Sequence, residues 1–196
     1  MAINRLRGKK VLITAGPTWV RLDSVRIISN IATGETGILI ARALRRSGAK
    51  VKLLLGPFEL SSLDKTLTRE LKSKVYDIVI HSAAVSDYKS GKAFRGKIRS
   101  GIKNLKLTLV PTKKIINTVK KLSPDTRLVG FKFEPNASKA KLINEARMLM
   151  RRSSCDLVVA NTLGSRGYRA LIVDGNKVFG PYSRKTELVS NLTRHL

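Results

Sequence analysis

An α/β fold with a mostly parallel sheet and helices on both faces follows from three features of the sequence. Short apolar runs rich in β-branched residues stop abruptly at turn residues: 11–15 ends at Gly16-Pro17 and 51–55 ends at Gly56-Pro57. Segments with apolar residues at helical spacing lie between such runs. Strand, helix and strand also succeed one another at the length of a βαβ crossover, the unit of a doubly wound parallel sheet.

Taken in order, the first strand is 11–15, and a loop follows to about Thr33. A helix is expected over 34–46, stopped by Ser47-Gly48-Ala49, with Arg45 and Arg46 suited to the negative end of its dipole. Residues 51–55 form the second strand. Leu63, Leu67 and Leu71 mark a helix over 63–74, and 77–81 is the third strand. Ser82 to Tyr88 then forms the loop at its carboxyl end, the edge at which open α/β sheets bind ligands. From 89 to 99 glycines and cations without periodicity predict a mobile basic loop. A strand at 105–110 and a helix at 113–122 follow, the helix broken at Ser123-Pro124-Asp125. Next come a strand at 127–133, a helix at 138–152 with Leu142, Ala146, Leu149 and Met150 inward, and a strand at 156–161. A small C-terminal hairpin turns at Asp174-Gly175-Asn176, and 186–196 is an amphipathic helix. The span from Gly56-Pro57 to Asp77 is short enough to suggest a strand or helix trimmed from the sheet. No repeat or linker divides the chain, so 1–196 reads as a single domain.

At 196 residues the chain can bury a substantial core. Its lone cysteine, Cys155, excludes an internal disulfide framework and points to a reducing cytoplasm. His81 and His195 stand far apart with no Cys/His cluster, so no protein-held metal centre is expected. The N-terminus, 1–10, is basic, and the apolar run behind it is too short for a signal core. No stretch reaches transmembrane length, so no membrane association is expected. Charge is the unusual property. There are 39 Lys and Arg against 13 Asp and Glu, a net charge of +26, and 89–124 carries eleven cations and no acid. Such an excess suits nucleotides, phosphorylated metabolites or nucleic acid. Without a nucleic-acid motif beside it, nucleic acid is not the favoured partner.

Residues 23–37 concentrate polar chemistry: Asp23, Arg26 and Asn30, then Thr33-Gly34-Glu35-Thr36-Gly37 leading into an apolar helical pattern. A glycine turn at a helix start leaves N–H groups unpaired at one spot, where the dipole favours an anion. The same wording also suits a capped turn with no ligand. Thr33-Gly34-x-x-Gly37 with Tyr88-x-x-x-Lys92 further resembles an NADP-dependent short-chain dehydrogenase, where tyrosine is the general acid and lysine lowers its pKa. The dinucleotide fingerprint belongs directly after the first strand, however, and that position reads Ala15-Gly16-Pro17-Thr18. The dehydrogenase is the distant alternative.

A different family fits the ordered set of motifs. Val11 to Thr18, Leu22 to Asn30 and Gly34-Glu35-Thr36-Gly37 open it, and Ala83-Ala84-Val85-Ser86-Asp87-Tyr88 with Gly96-Lys97-Ile98-Arg99 continue it. Val129-Gly130-Phe131-Lys132-Phe133-Glu134 and Asp156 to Asn161 close it. Together they resemble phosphopantothenoylcysteine synthetase, also called phosphopantothenate–cysteine ligase, over nearly the whole chain. Gly130-Phe131-Lys132 resembles the wording of stand-alone members, so a ligase without a fused flavoprotein domain is expected.

The resemblance implies a Rossmann-like, cytoplasmic, homodimeric ligase of coenzyme A biosynthesis. In this family CTP or ATP, with Mg2+ and no flavin, converts 4′-phosphopantothenate to an acyl-nucleotide, and L-cysteine then attacks to form the amide. By residue, Asn30 and Lys97 become the catalytic candidates, Asn30 orienting the carboxyl and Lys97 stabilising charge on the transferring phosphate. Asp23, Arg26, Thr33, Gly34 and Gly37 join Asn30 in binding phosphopantothenate. Gly16, Ser82, Ala83, Asp87, Lys114, Phe131 and Lys132 join Lys97 around the nucleotide, Lys113 being the alternative to Lys114 in the nucleotide loop. The family's Asn-x-Ser-Ser-Gly reads Asn30-Ile31-Ala32-Thr33-Gly34 here, so one hydroxyl is missing. Leu149 and Ser153 stand where fused members carry lysines, leaving Arg147, Arg151 or Arg152 to substitute. The non-enzyme alternative is a trimmed family fold that binds nucleotides or nucleic acid through its basic surface.

Overall fold

The computed structural model describes residues 5–92, 94, 96–165 and 167–196. Positions 1–4 of the basic N-terminus and Arg95 of the basic loop lie outside the described residues. The chain begins with β1 (Lys10–Ala15), β2 (Thr18–Arg21) and β3 (Ile27–Ser29), then α1 (Glu35–Arg46) and β4 (Lys50–Leu55). After these come β5 (Phe58–Glu59), α2 (Leu60–Ser73), β6 (Ile78–His81), β7 (Tyr88–Ser90), β8 (Leu109–Pro111) and α3 (Ile116–Leu122). The last third holds β9 (Arg127–Phe133), α4 (Lys139–Ser153), β10 (Leu157–Gly164), β11 (Gly167–Asp174), β12 (Lys177–Tyr182) and α5 (Lys185–His195).

Seven strands form the main sheet in the order β12-β11-β10-β9-β6-β1-β4. From β4 to β10 every pairing is parallel, while β11 and β12 extend the β10 edge as an antiparallel hairpin. Both faces are covered, which is why the central strands read as continuous apolar runs. Ile13, Ile80, Val129 and Val159 pack under α1 and α5; Leu12, Val79, Leu128 and Val158 pack under α2, α3 and α4. Each fully buried Leu or Ile contributes roughly 1.5–3 kcal/mol of transfer free energy.

Three expectations change. The stretch 16–33 is not a plain loop, because β2 and β3 pair antiparallel and β2 also pairs with β5, Thr18 opposite Phe58. The basic loop 89–99 begins in a strand: Tyr88–Ser90 pairs with Leu109–Pro111 in a separate two-stranded ribbon, so 105–110 does not enter the main sheet. The short span after Gly56-Pro57 carries β5 and α2, which makes the crossover from β4 to β6 complete. The pairings of β2 with β5 and of β7 with β8 join segments tens of residues apart, which local periodicity cannot show.

Candidate active site

The chain leaves β1 towards β4 on one side and reaches β6 on the other. The reversal of strand order between them opens a crevice at their carboxyl ends. Glycines let three backbone segments meet there. Gly16 lies at φ +85°, and a Cβ on it would stand 3.0 Å from the Gly56 nitrogen. Gly34, the residue before α1, lies at φ +76°, with its Cβ position 2.7 Å from Leu55 Cδ1 and 3.0 Å from the Gly16 nitrogen. A Cβ on Gly37 would meet Ala15 Cβ at 2.3 Å and Ser82 Oγ at 2.9 Å. The first turn of α1 is therefore pressed onto the ends of β1 and β6, and a helix start leaves N–H groups without intrahelical acceptors at that point. Thr33 Oγ1 accepts the Glu35 N–H at 3.3 Å and so belongs to the helix start.

Beyond β1 and β6 the two chains continue side by side. Ala84 N–H donates to the Gly16 carbonyl at 2.9 Å, and Thr18 N–H to the Ala84 carbonyl at 3.0 Å. Ser86 N–H donates to Thr18 Oγ1 at 2.8 Å, and Ser86 Oγ to the Thr18 carbonyl at 3.1 Å, both buried. The half-buried Asn30 joins this seam, its Nδ2 donating to the Ala84 carbonyl at 2.8 Å. A carbonyl can only accept, so this bond sets the amide's orientation and leaves Oδ1 and one N–H for a ligand. Ser82 Oγ donates to the Thr14 carbonyl at 2.8 Å. Gly16, Asn30, Gly34, Gly37 and Ser82 thus gather along one crevice, with Ala83 between Ser82 and Ala84 in the chain.

Asp23 is enclosed instead. Its Oδ1 accepts the N–H groups of Val25 at 2.8 Å and Arg26 at 2.7 Å; its Oδ2 accepts Arg26 Nη1 at 2.6 Å and Ile98 N–H at 3.0 Å. Burial alone would push this carboxyl up, but the N–H groups of Ile98, Val25 and Arg26 with the guanidinium bring it down to about 2. Arg26 Nη1 also donates to the Ile98 carbonyl at 3.2 Å, and Ser24 N–H to the Gly96 carbonyl at 3.2 Å. The exposed Lys97 sits between these two tethers. The expected mobile loop is anchored on both sides of its candidate catalytic lysine, and Asp23 holds the anchor. All four of its acceptor directions are met by the protein.

Asp87 and Lys114 meet as an exposed ion pair at the end of β6. The backbone keeps them adjacent, since Thr112 N–H donates to the Asp87 carbonyl at 2.9 Å. Phe131 and Lys132 are neighbours on β9 and so face opposite sides of the sheet. Phe131 packs on the α1 and α5 side. Lys132 Nζ turns to Glu134 Oε1 at 3.0 Å and Glu145 Oε2 at 3.2 Å, the latter on α4. Burial would lower its pKa, but the two carboxylates outweigh that and raise it.

One buried pair has no counterpart in the sequence reading. His81 Nδ1 and Thr14 Oγ1 share a hydrogen bond of 2.7 Å inside the sheet, and burial pushes the imidazole down to about 4, so it is neutral at pH 7. A histidine inside the apolar run 78–81 was the available signal. Among the described residues no three His, Cys, Asp or Glu side chains cluster as a metal site.

The model of the DNA/pantothenate metabolism flavoprotein C-terminal domain matches residues 6–191. The coenzyme A biosynthesis bifunctional protein CoaBC of Thermococcus kodakarensis is 41% identical over 83% of this chain, which spans 43% of that relative. The chain thus spans less than half of this curated relative's length. Among solved structures, the DNA/pantothenate metabolism flavoprotein from Streptococcus pneumoniae superposes with a TM-score of 0.83 at 26% identity, covering 96% of this chain and 98% of that one. A Cab2 mutant in complex with phosphopantothenate-cysteine shares the fold at a TM-score of 0.76 and 19% identity, covering 95% of this chain and 85% of that one.

Proposed function

The chain belongs to the family of the DNA/pantothenate metabolism flavoprotein C-terminal domain, and from that premise we propose that it is a phosphopantothenate–cysteine ligase of coenzyme A biosynthesis. One observation carries the reading: the Asn30 amide, held by Ala84 at the mouth of the β1–β6 crevice, beside the open first turn of α1. In the proposed reaction a carboxylate oxygen of 4′-phosphopantothenate attacks the α-phosphorus of CTP or ATP, and pyrophosphate leaves. The amine of L-cysteine then attacks the acyl carbon, and the nucleoside monophosphate leaves with the bonding electrons.

Each step gives these residues a task. The Asn30 N–H orients the substrate carboxylate, and the α1 turn takes a negative oxygen. Lys97, held at its backbone through Gly96 and Ile98, meets charge that grows on the α-phosphate. Asp23 and Arg26 act by positioning that loop. Asp87 exchanges Lys114 for a sugar hydroxyl, and the freed ammonium turns to a phosphate. Phe131 and Lys132 approach the nucleotide from opposite faces of β9, Lys132 as an already compensated cation. Magnesium accompanying the triphosphate would be held by phosphate oxygens and water and would offset the negative charge of the phosphates.

The exposed apolar side chains Val25, Ile27 and Ile31, with Ile102, Leu105 and Leu109 of the basic segment and ribbon, suit a homodimer contact beside this site. The enzyme is read as a single cytoplasmic domain; no helix among the described residues is long and apolar enough to cross a membrane. The test is pyrophosphate release from CTP or ATP. Release that requires 4′-phosphopantothenate, and amide formation that further requires cysteine, are the expected results. Absence of release with either nucleotide overturns the reading.

A further inference from the structure

A cavity of about 490 Å³ lies behind the proposed site, between β2, the start of α2, the β7–β8 ribbon and the entry to α3. Asn30, Gly34, Gly37, Ser82, Asp87 and Phe131 do not line it. Among the described residues it shares with that site Asp23, whose carboxylate is already enclosed, and Lys113, the neighbour of Lys114 in the nucleotide loop. Its volume is that of a small-molecule site.

The lining divides by chemistry. Val20, Leu22, Leu60, Phe94 and Ile115 make an apolar interior. Arg21, Lys89, Lys92 and Lys113 stand around it, with Glu59 and Asp64 as the acids not sealed away. Lys113 and Asp64 form the mouth, Nζ lying 3.1 and 3.2 Å from the two carboxylate oxygens. The same two residues border an adjoining open groove along α2, where Lys65, Arg69 and Lys72 recur at helical spacing. An apolar chamber thus opens onto a cationic track through one exposed ion pair.

The walls of this cavity are the backs of segments that carry the proposed catalytic groups. Residues 21–24 hold Asp23, which anchors Ile98 and so Lys97. Lys89 and Ser90 lie two and three residues after Asp87, and Thr112 and Lys113 precede Lys114. A molecule filling the chamber would press on all three.

We propose that this cavity is an effector site for an amphipathic organic phosphate, its uncharged body inside and its phosphate at the mouth between Lys113 and the α2 cations. The phosphate displaces Asp64 from Lys113, and occupancy alters turnover through the three shared segments. The turnover half rests on the ligase reading; the binding half does not.

Calorimetric titration with 4-methylumbelliferyl phosphate tests the binding half, with 4-methylumbelliferone and inorganic phosphate as partial probes. One site is expected, with both partial probes at least about tenfold weaker. Leu60→Trp, which fills the chamber, abolishes binding; Ser61→Trp serves as a second block if the first does not fold. Lys113→Met weakens binding about tenfold, and Asp64→Asn, which removes the competing carboxylate, tightens it several-fold. Saturating CTP or ATP leaves the probe bound. Unchanged binding in both folded tryptophan variants, competitive displacement by nucleotide, or no binding at about 1 mM probe overturns the site. In an active enzyme the probe changes pyrophosphate release in the parent chain and not in the tryptophan variants. An enzyme without release fails the ligase reading while the titration still judges the site.

Discussion

The glycine side of the crevice, from Gly16 through Gly34 to Gly37, differs from the lysine side, Asp87, Lys97 and Lys114, in what holds it. On the first, backbones approach until a single Cβ would collide at 2.3–3.0 Å. On the second, exposed charges are positioned by hydrogen bonds between distant segments: Ile98 N–H to the Asp23 carboxylate, and Thr112 N–H to the Asp87 carbonyl. Close packing has one arrangement and loses all of it together. A tethered charge can move and be exchanged for a ligand. A site that must grip a substrate carboxyl and release pyrophosphate uses both kinds of construction.

Substitutions separate them. Lys97→Ala is expected to cut the pyrophosphate-release rate by about 10²–10³, in the range of losing one charge-stabilising donor, while the thermal midpoint stays put. Equal losses in rate and midpoint would place Lys97 among structural groups instead. Gly37→Ala should do the reverse: overpacking against Ala15 and Ser82 costs about 3 kcal/mol of unfolding free energy by urea titration. An unchanged urea midpoint would show that α1 can lift off the strand ends.

Acid distinguishes the two sides by window. His81, buried near the glycine side, has a folded pKa of about 4, below its ordinary 6.5. Its contribution is complete above pH 6.5 and is lost as pH falls towards 4, by up to about 3 kcal/mol. Asp23, depressed to about 2 from 3.8, keeps its contribution above pH 3.8 and loses it only as pH falls towards 2. Stability should therefore decline first between pH 6.5 and 4, and His81→Gln should flatten that decline but not the one below 3.8. A pH curve identical in the variant would remove His81 from the account.

The smallest effects belong to the tethers. Asp23→Asn should lower kcat/KM about tenfold through a loosened Lys97 loop, with faster amide exchange at Ile98 as the sign that it acts by position. Asp87→Asn should raise the nucleotide KM a few-fold with little change in stability, because the Asp87–Lys114 pair is exposed and screened. A large stability loss there would contradict the exchange of Lys114 between carboxylate and phosphate.

The sequence by itself determined the parallel sheet, the α1 start and the crevice candidates Gly16, Asn30, Gly34 and Ser82. The sheet and the helix start rest on apolar periodicity and turn residues, and the crevice candidates on the family resemblance. It also contained the alternation that puts Phe131 and Lys132 on opposite faces, since successive strand residues must diverge. Only the tertiary structure decided that Asp23 is enclosed by Ile98, that the 96–98 segment is anchored, and that Tyr88–Ser90 pairs with Leu109–Pro111. The same holds for the small sheet of β2, β3 and β5, the His81–Thr14 pair and the cavity behind the site. Each joins segments separated by tens of residues, and their pairing depends on how the whole chain packs, which no window of sequence contains.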